Sequence, residues 1–270
     1  MDHKISGLGL GLRFVHLETI LQTKPATPWF EVVVDDFLEK GPHHYKLTQL
    51  RQDYPIAFHS IGLNIGGTDP LDLSYLNKLR DLYSQYEPEW VSDHLCWTAH
   101  GGYHHHDLMP IPRSHEALLH VCQRVDFIQE FFKRPIALEN VTSYIEFNTS
   151  EMSEFEFIAE VVSKTGCGLL FDISNLLINC SNKSLDVAKT LSRVPLQSVV
   201  QFHLAGGTNN KEVIIDTHAH KVESRDVIVY KDLVDKGFDA PAIIERDQNL
   251  PAFEELERER LDIEKVVYGS

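Results

Sequence analysis

Eight short apolar runs, each followed by a segment of helical character, constrain this 270-residue chain more than any other feature of it. The runs are Gly7–Arg13, Trp29–Val34, Pro55–Ser60, Glu89–Trp97, Pro135–Asn140, Gly168–Ser174, Val199–Ala205 and Pro241–Asp247. Most are nearly continuous in Val, Ile, Leu and Phe, which suits strands buried on both faces of a parallel sheet. Between them, helical spacing or start signals mark Leu71–Tyr86 after Thr68-Asp69-Pro70, Ser114–Phe132, Ser153–Lys164 and Ala252–Val266. Ser153 with Glu156 forms a capping-box pattern, and Pro251 is a favourable residue just before the last helix. Strand and helix alternating eight times predict an α/β fold, a single (β/α)8 TIM barrel over residues 1–270, with an open doubly wound sheet as the alternative. No G-x-G-x-x-G follows the first run, which argues against a dinucleotide-binding domain.

The net charge of −15 argues against broad nucleic-acid binding, which depends on neutralising phosphates. A phosphodiester substrate stays open, because metal ions supply local positive charge. Cys96, Cys122, Cys167 and Cys180 have no C-x-x-C spacing and read as reduced, structural thiols. No secretory signal and no apolar stretch of membrane-spanning length is visible, so a cytoplasmic protein with no membrane partner is expected.

Chemistry-bearing residues recur at the ends of the runs: Glu31, His59, Asp93-His94, Glu139-Asn140, Asp172 with Asn175 beyond it, His203, and Glu245-Arg246-Asp247. The segment IDTH adds Asp216 and His218 after the seventh run. Strand ends of such a barrel converge on one mouth, where the site lies. One histidine in an apolar run would be read as a hydrogen-bonded core residue; the same pattern on six or more strands points to metal. The nitrogen and oxygen donors suit zinc, manganese or iron. They are too many for one ion, and Glu139 and Glu245 are candidates to bridge two. Asp93 is expected to orient His94 from outside the coordination sphere. Arg246 is expected either to bind a substrate carboxylate or to pair with a nearby acid. Plainer roles are expected for His104-His105-His106 in a Gly-rich loop, for His43, His44, His115 and His120 on outer helices, and for Cys96. For Gly206-Gly207, an anion cradle and a flexible turn are both open.

In order along the chain, GLGLR, VSDHLCW, ALEN, GCGLLFDISN, FHLAGG, IDTH and IERD resemble the DUF692 or UPF0276 family, the multinuclear non-haem iron-dependent oxidases. The resemblance runs from about Gly7 to Pro251. It implies a barrel similar to xylose isomerases and the three-zinc apurinic endonucleases. It implies a first metal on His59, His94 and Glu139, a second on Glu139, Asp172, His203 and Glu245, and a third on Asp216 and His218 with Asn175 nearby. The apurinic endonucleases have a histidine where Asn175 stands. Characterised members modify cysteine in ribosomally made precursor peptides, with a small leader-peptide-binding partner protein, forming oxazolone and thioamide groups or excising the cysteine β-carbon. The resemblance therefore implies two to three iron ions, O2 as co-substrate, and Asp247 as an outer-shell acid or base. A Zn- or Mn-dependent hydrolase or isomerase on the same barrel, and a binding protein with a vestigial site, are the alternatives.

Overall fold

All eight apolar runs carry a strand, and each strand is shorter than its run. In the computed structural model, which describes residues 5–269, the barrel strands are β1 (Leu8–Gly11), β2 (Phe30–Val33), β3 (Ile56–His59), β4 (Val91–His94), β7 (Ala137–Glu139), β8 (Gly168–Asp172), β9 (Val199–Leu204) and β12 (Ala242–Ile244). They close in chain order, every pair parallel, with β1 joining β12 through the Leu8–Ala242 register. The expected (β/α)8 barrel is thus the fold.

The outer layer consists of α1 (Phe14–Thr23), α2 (Pro42–Asp53), α3 (Leu73–Tyr86), α4 (His115–Phe132), α5 (Glu154–Thr165), α6 (Ile173–Asn182), α7 (Val187–Leu191), α8 (Ser224–Asp235) and α9 (Phe253–Tyr268). Local chemistry sets their starts. Ser114 caps α4, and Ser153 with Glu156 closes the capping box of α5. Helix α3 starts two residues later than the Leu71 expected, because Asp72 accepts from the amides of Ser74 and Tyr75. The run Gly168–Ser174 is cut short for the same reason. Asp172 caps α6 through the Asn175 amide, so Ile173 and Ser174 are helical.

Two hairpins interrupt the barrel at its mouth. β5 (Trp97–His100) pairs antiparallel with β6 (Tyr103–Met109) across Gly101-Gly102, both at positive φ, the backbone a tight two-residue turn demands. This corrects the expected loop: His104 and His105 stand on a strand, while the side chain of His106 lies outside the described residues. β10 (Thr208–Asn210) pairs with β11 (Val213–Ile215) after β9.

The two faces of the barrel strands divide the labour. Successive side chains point to opposite faces. Leu8, Leu10, Phe30, Val32, Phe58 and Phe171 belong to the large core shared with the helices. The inward positions hold little apolar bulk. At the bottom, Trp29 packs with Ile5, Ala57 and Ile243, and edge-on against Trp90. Gly9 makes room for it: a Cβ there would stand 2.7 Å from the Trp29 ring and its carbonyl. Among the described residues, no helix is long and apolar enough to cross a membrane.

Two stability outcomes follow. Gly9→Ala overpacks the barrel floor and should cost about 1–3 kcal/mol in denaturant unfolding, whereas Trp29→Ala should cost about 3–5 kcal/mol. Asp226, 1% exposed and bonded to Ser174, is pushed up to about 6 by burial, only partly offset by that bond and Arg225. The native state therefore binds its proton more tightly than the unfolded chain, and stability is lost as pH rises from about 4 through about 6. Asp226→Asn should gain roughly 1–3 kcal/mol relative to wild type between about pH 4 and pH 8, read as a growing difference in melting temperature.

Candidate metal centre

The inward positions at the C-terminal ends of the strands are polar where the floor is apolar. Register places His94 beside Glu139, and Asp172 beside His203. Glu139 is the hub. Its Oε2 lies 3.1 Å from His59 Nε2 and 3.4 Å from His94 Nε2, and its Oε1 lies 3.5 Å from His203 Nδ1. Glu245 Oε2 continues the chain, 3.0 Å from His203 Nδ1 and 3.2 Å from His218 Nδ1. His218 Nε2 then meets Asp216 Oδ1 at 2.7 Å, with Asp172 Oδ2 at 4.0 Å. Three sets bring donor atoms within 4.8 Å of one another: His59, His94 and Glu139; Glu139, Asp172, His203 and Glu245; and His218, Glu245 and Asp247.

The donors are aimed from behind. Ser92 Oγ, which donates to the Phe58 carbonyl, accepts from His59 Nδ1 at 2.8 Å, so Nε2 is the nitrogen turned to Glu139. Glu31 holds His203 Nε2 at 3.0 Å and is itself held by Gln201, so His203 presents Nδ1 to the centre. This carboxylate–histidine arrangement fixes a metal ligand's ring and tautomer. Asn140 exchanges two 2.9 Å bonds with the Asp172 backbone, and the Asn175 amide takes Asp172 Oδ1, leaving Oδ2 free. His218 adopts a left-handed backbone, φ +46°, uncommon for a non-glycine residue.

Without metal, the buried carboxylates are balanced only by protons on the imidazoles. Glu31, Glu139, Asp172 and Glu245 are all buried, and Arg13 is the one guanidinium or ammonium lining the mouth among the described residues. Burial opposes charge on every imidazole. At His59, Glu139 and Glu31 overcome it and lift the pKa to about 9; at His94 burial wins and lowers it to about 4. Against the same burial, His94 and His203 hold the Glu139 carboxyl low, whereas Asp172 is pushed well up by burial and by Glu139. His94 Nδ1, Glu139 Oε2, Asp172 Oδ2, His203 Nδ1, Asp216 Oδ1 and both His218 nitrogens lack a hydrogen bond of good geometry. Buried atoms left so are costly unless a metal satisfies them. The donor set fits a multinuclear centre of nitrogen and oxygen ligands.

The residues expected in the first two metal sets stand together. The third set differs. Asn175 is turned away, accepting from Thr142 at 2.6 Å and donating to the Asn140 carbonyl at 3.1 Å. Asp216 stands at His218 Nε2 as expected, and Glu245 and Asp247 stand at Nδ1. Asp93 does not orient the His94 ring, from which it lies 3.9 Å away. It faces the helix layer and binds Ser60, the Leu63 amide and the His94 backbone. Arg246 faces the same way and pairs with Glu259 of α9 at 3.0 Å, so it is not in the site. Cys96 is a packed thiol, and His120 binds the Gly67 carbonyl. Gly206 is a close-packed turn, with no room for a Cβ beside the His220 and Lys221 carbonyls.

Two residues emerge that strand-end reading left without a role. Glu31 was visible as a carboxylate in an apolar run, but its partner is 172 positions away. Arg13 lies past β1, whose inward positions are Gly9 and Gly11. A Cβ on Gly11 would come within 3.3 Å of the Arg13 guanidinium, which folds over the mouth. Above the donors lies a cavity of about 750 Å³, apolar along Ile61, Leu108, Met109, Tyr144 and Ile145, and acidic along Asp36, Asp107 and Asp247. Glu31→Gln and Ser92→Ala should each weaken metal binding about 10–100-fold in a titration against a competing chelator, since each loosens a ligand it does not replace.

The chain is similar to known proteins at two levels. By fold, the chain is similar to endonuclease IV from Thermus thermophilus, with a TM-score of 0.63, 15% identity and 97% and 99% of the two chains covered. A D-psicose 3-epimerase gives a TM-score of 0.62 at 9% identity, covering 98% and 100%. By sequence, it is 38% identical to a UPF0276 protein of Anaeromyxobacter sp. (strain Fw109-5), over 95% of this chain and 91% of that one. It is 37% identical to a UPF0276 protein of Caulobacter vibrioides, over 98% and 95%. The family model for the RiPP precursor modification enzymes MbnB/TglH/ChrH matches residues 7–268, and the chain belongs to that family.

Proposed function

We propose that this protein is a multinuclear non-haem iron oxidase that uses O2 to modify a cysteine of a ribosomally made precursor peptide, by β-carbon excision or by oxazolone/thioamide formation, together with a leader-binding partner protein. The observation that carries the reading is Glu139, whose two oxygens face two different ligand sets in a chain of a precursor-modifying family. Two iron ions would be held by His59, His94 and Glu139, and by Glu139, Asp172, His203 and Glu245; Asp216 and His218 would hold a third. When bound, the ions would supply redox chemistry with O2 and the positive charge that favours a substrate thiolate.

The chain's own residues do the rest. The Trp29 floor closes the barrel below the donors, so the cavity opens only on the side where the loops gather. Tyr144, Ile145 and Ile61, at 53%, 48% and 40% exposure, offer apolar surface to the residues flanking a peptide cysteine. The Tyr144 hydroxyl accepts from the Asp216 amide, tying this wall to the donors. Asp247, half exposed and 3.2 Å from His218, stands where an outer-shell acid or base can exchange protons with solvent.

The test is anaerobic loading with iron, followed by oxygen uptake and peptide mass measured on the cysteine peptide encoded beside the gene, with its partner protein. The expected result is oxygen consumption with a mass change at cysteine. Activity of a zinc-only protein without oxygen would overturn the reading in favour of a hydrolase or isomerase. His59→Ala and Glu245→Ala should each lower the iron content, and Glu139→Ala should lower it most, because both sets lose a ligand.

A further inference from the structure

Asp247 and Glu245 face two claimants. One is the His218 ring, 3.2 Å from a carboxylate oxygen of each. The other is Arg13, whose Nη2 pairs directly with Asp247 Oδ1 and lies 3.5 Å from Glu245 Oε1. The guanidinium is not free to wander. Nη1 donates to the Leu12 carbonyl at 2.9 Å, the side chain is 13% exposed, and the bare Cα of Gly11 gives it its space. A fixed cation therefore sits against two of the three residues that would otherwise close a metal set around His218 Nδ1, a buried nitrogen without a hydrogen bond of good geometry.

We propose that Arg13 is a positioning residue that holds the outer oxygens of this third set and lowers its affinity for an ion. It offsets the charge of Asp247 through Oδ1 and leaves only Asp247 Oδ2 and Glu245 Oε2 facing His218 Nδ1. The proposal rests on the reading of the cluster as a metal centre. A guanidinium on the outer oxygens of both carboxylates repels a divalent cation on their inner oxygens. The ion count is thereby limited on the Nδ1 side of His218, whereas Asp216 on the Nε2 side is untouched.

The experiment is anaerobic Fe(II) titration of the full-length protein against a competing chelator, with metal content measured in parallel. Arg13→Gln should bind a further ion, or bind its last ion about tenfold or more tightly, the scale of one modest charge interaction. Arg13→Lys, which keeps the charge, should stay closer to wild type. In the Arg13→Gln background, Asp247→Asn should abolish the gain and Asp216→Asn should not. The proposal is overturned if Arg13→Gln leaves binding unchanged or loses ions with its melting temperature intact, if the lysine variant matches glutamine, or if Asp216→Asn removes the gain. A wild-type protein that binds no iron would instead defeat the metal-centre reading itself, so the two failures are distinguishable.

Discussion

Burying four carboxylates and four imidazoles against one another in one barrel is the constraint on which the rest of the structure depends. Glu31, Glu139, Asp172 and Glu245 gather negative charge where water cannot screen it, so protonated imidazoles or metal ions must offset it. Glu139 concentrates the problem, because it contacts three histidines from three other strands. The surrounding scaffold reads as support for this one group. Ser92 and Glu31 fix two rings, Asn140 fixes the Asp172 backbone, and the Asp172 cap joins the centre to α6.

This concentration is possible because stability is supplied elsewhere. The outward faces of the strands pack Leu, Phe, Val and Ile against the surrounding helices, and that shell is the main core. The inward faces need only fill the floor, which Trp29 does with few neighbours. The upper interior is thus free to be polar. A substitution among the donors should disturb metal binding far more than folding, and one in the shell the reverse.

The period-two rule also explains what was legible in the sequence. Each strand end announced itself as a charged or imidazole residue in an apolar run, so His59, His94, Glu139, Asp172, His203 and Glu245 could be read one by one. Their sequence neighbours Asp93 and Arg246, expected in supporting roles, bind away from the donors, Asp93 to Ser60 and Arg246 to Glu259. Asn175 misled because an apolar run hides the point where strand becomes helix. Once Asp172 caps α6, Asn175 falls in its first turn and bonds to Thr142. Arg13 was illegible because its place is made by an absence, the missing side chain of Gly11. The hairpins went unseen because β5 lies within or just beyond a run already assigned to the barrel.

The backbone of His218 has a consequence for anyone who would make this protein more robust. A left-handed residue with a Cβ is a standing target for stabilisation, and glycine there would relieve its strain. Selection for heat tolerance alone would be drawn to that position. It would trade away the one imidazole that stands between Asp216 on one side and Glu245 with Asp247 on the other. Robustness and chemistry are opposed at this residue.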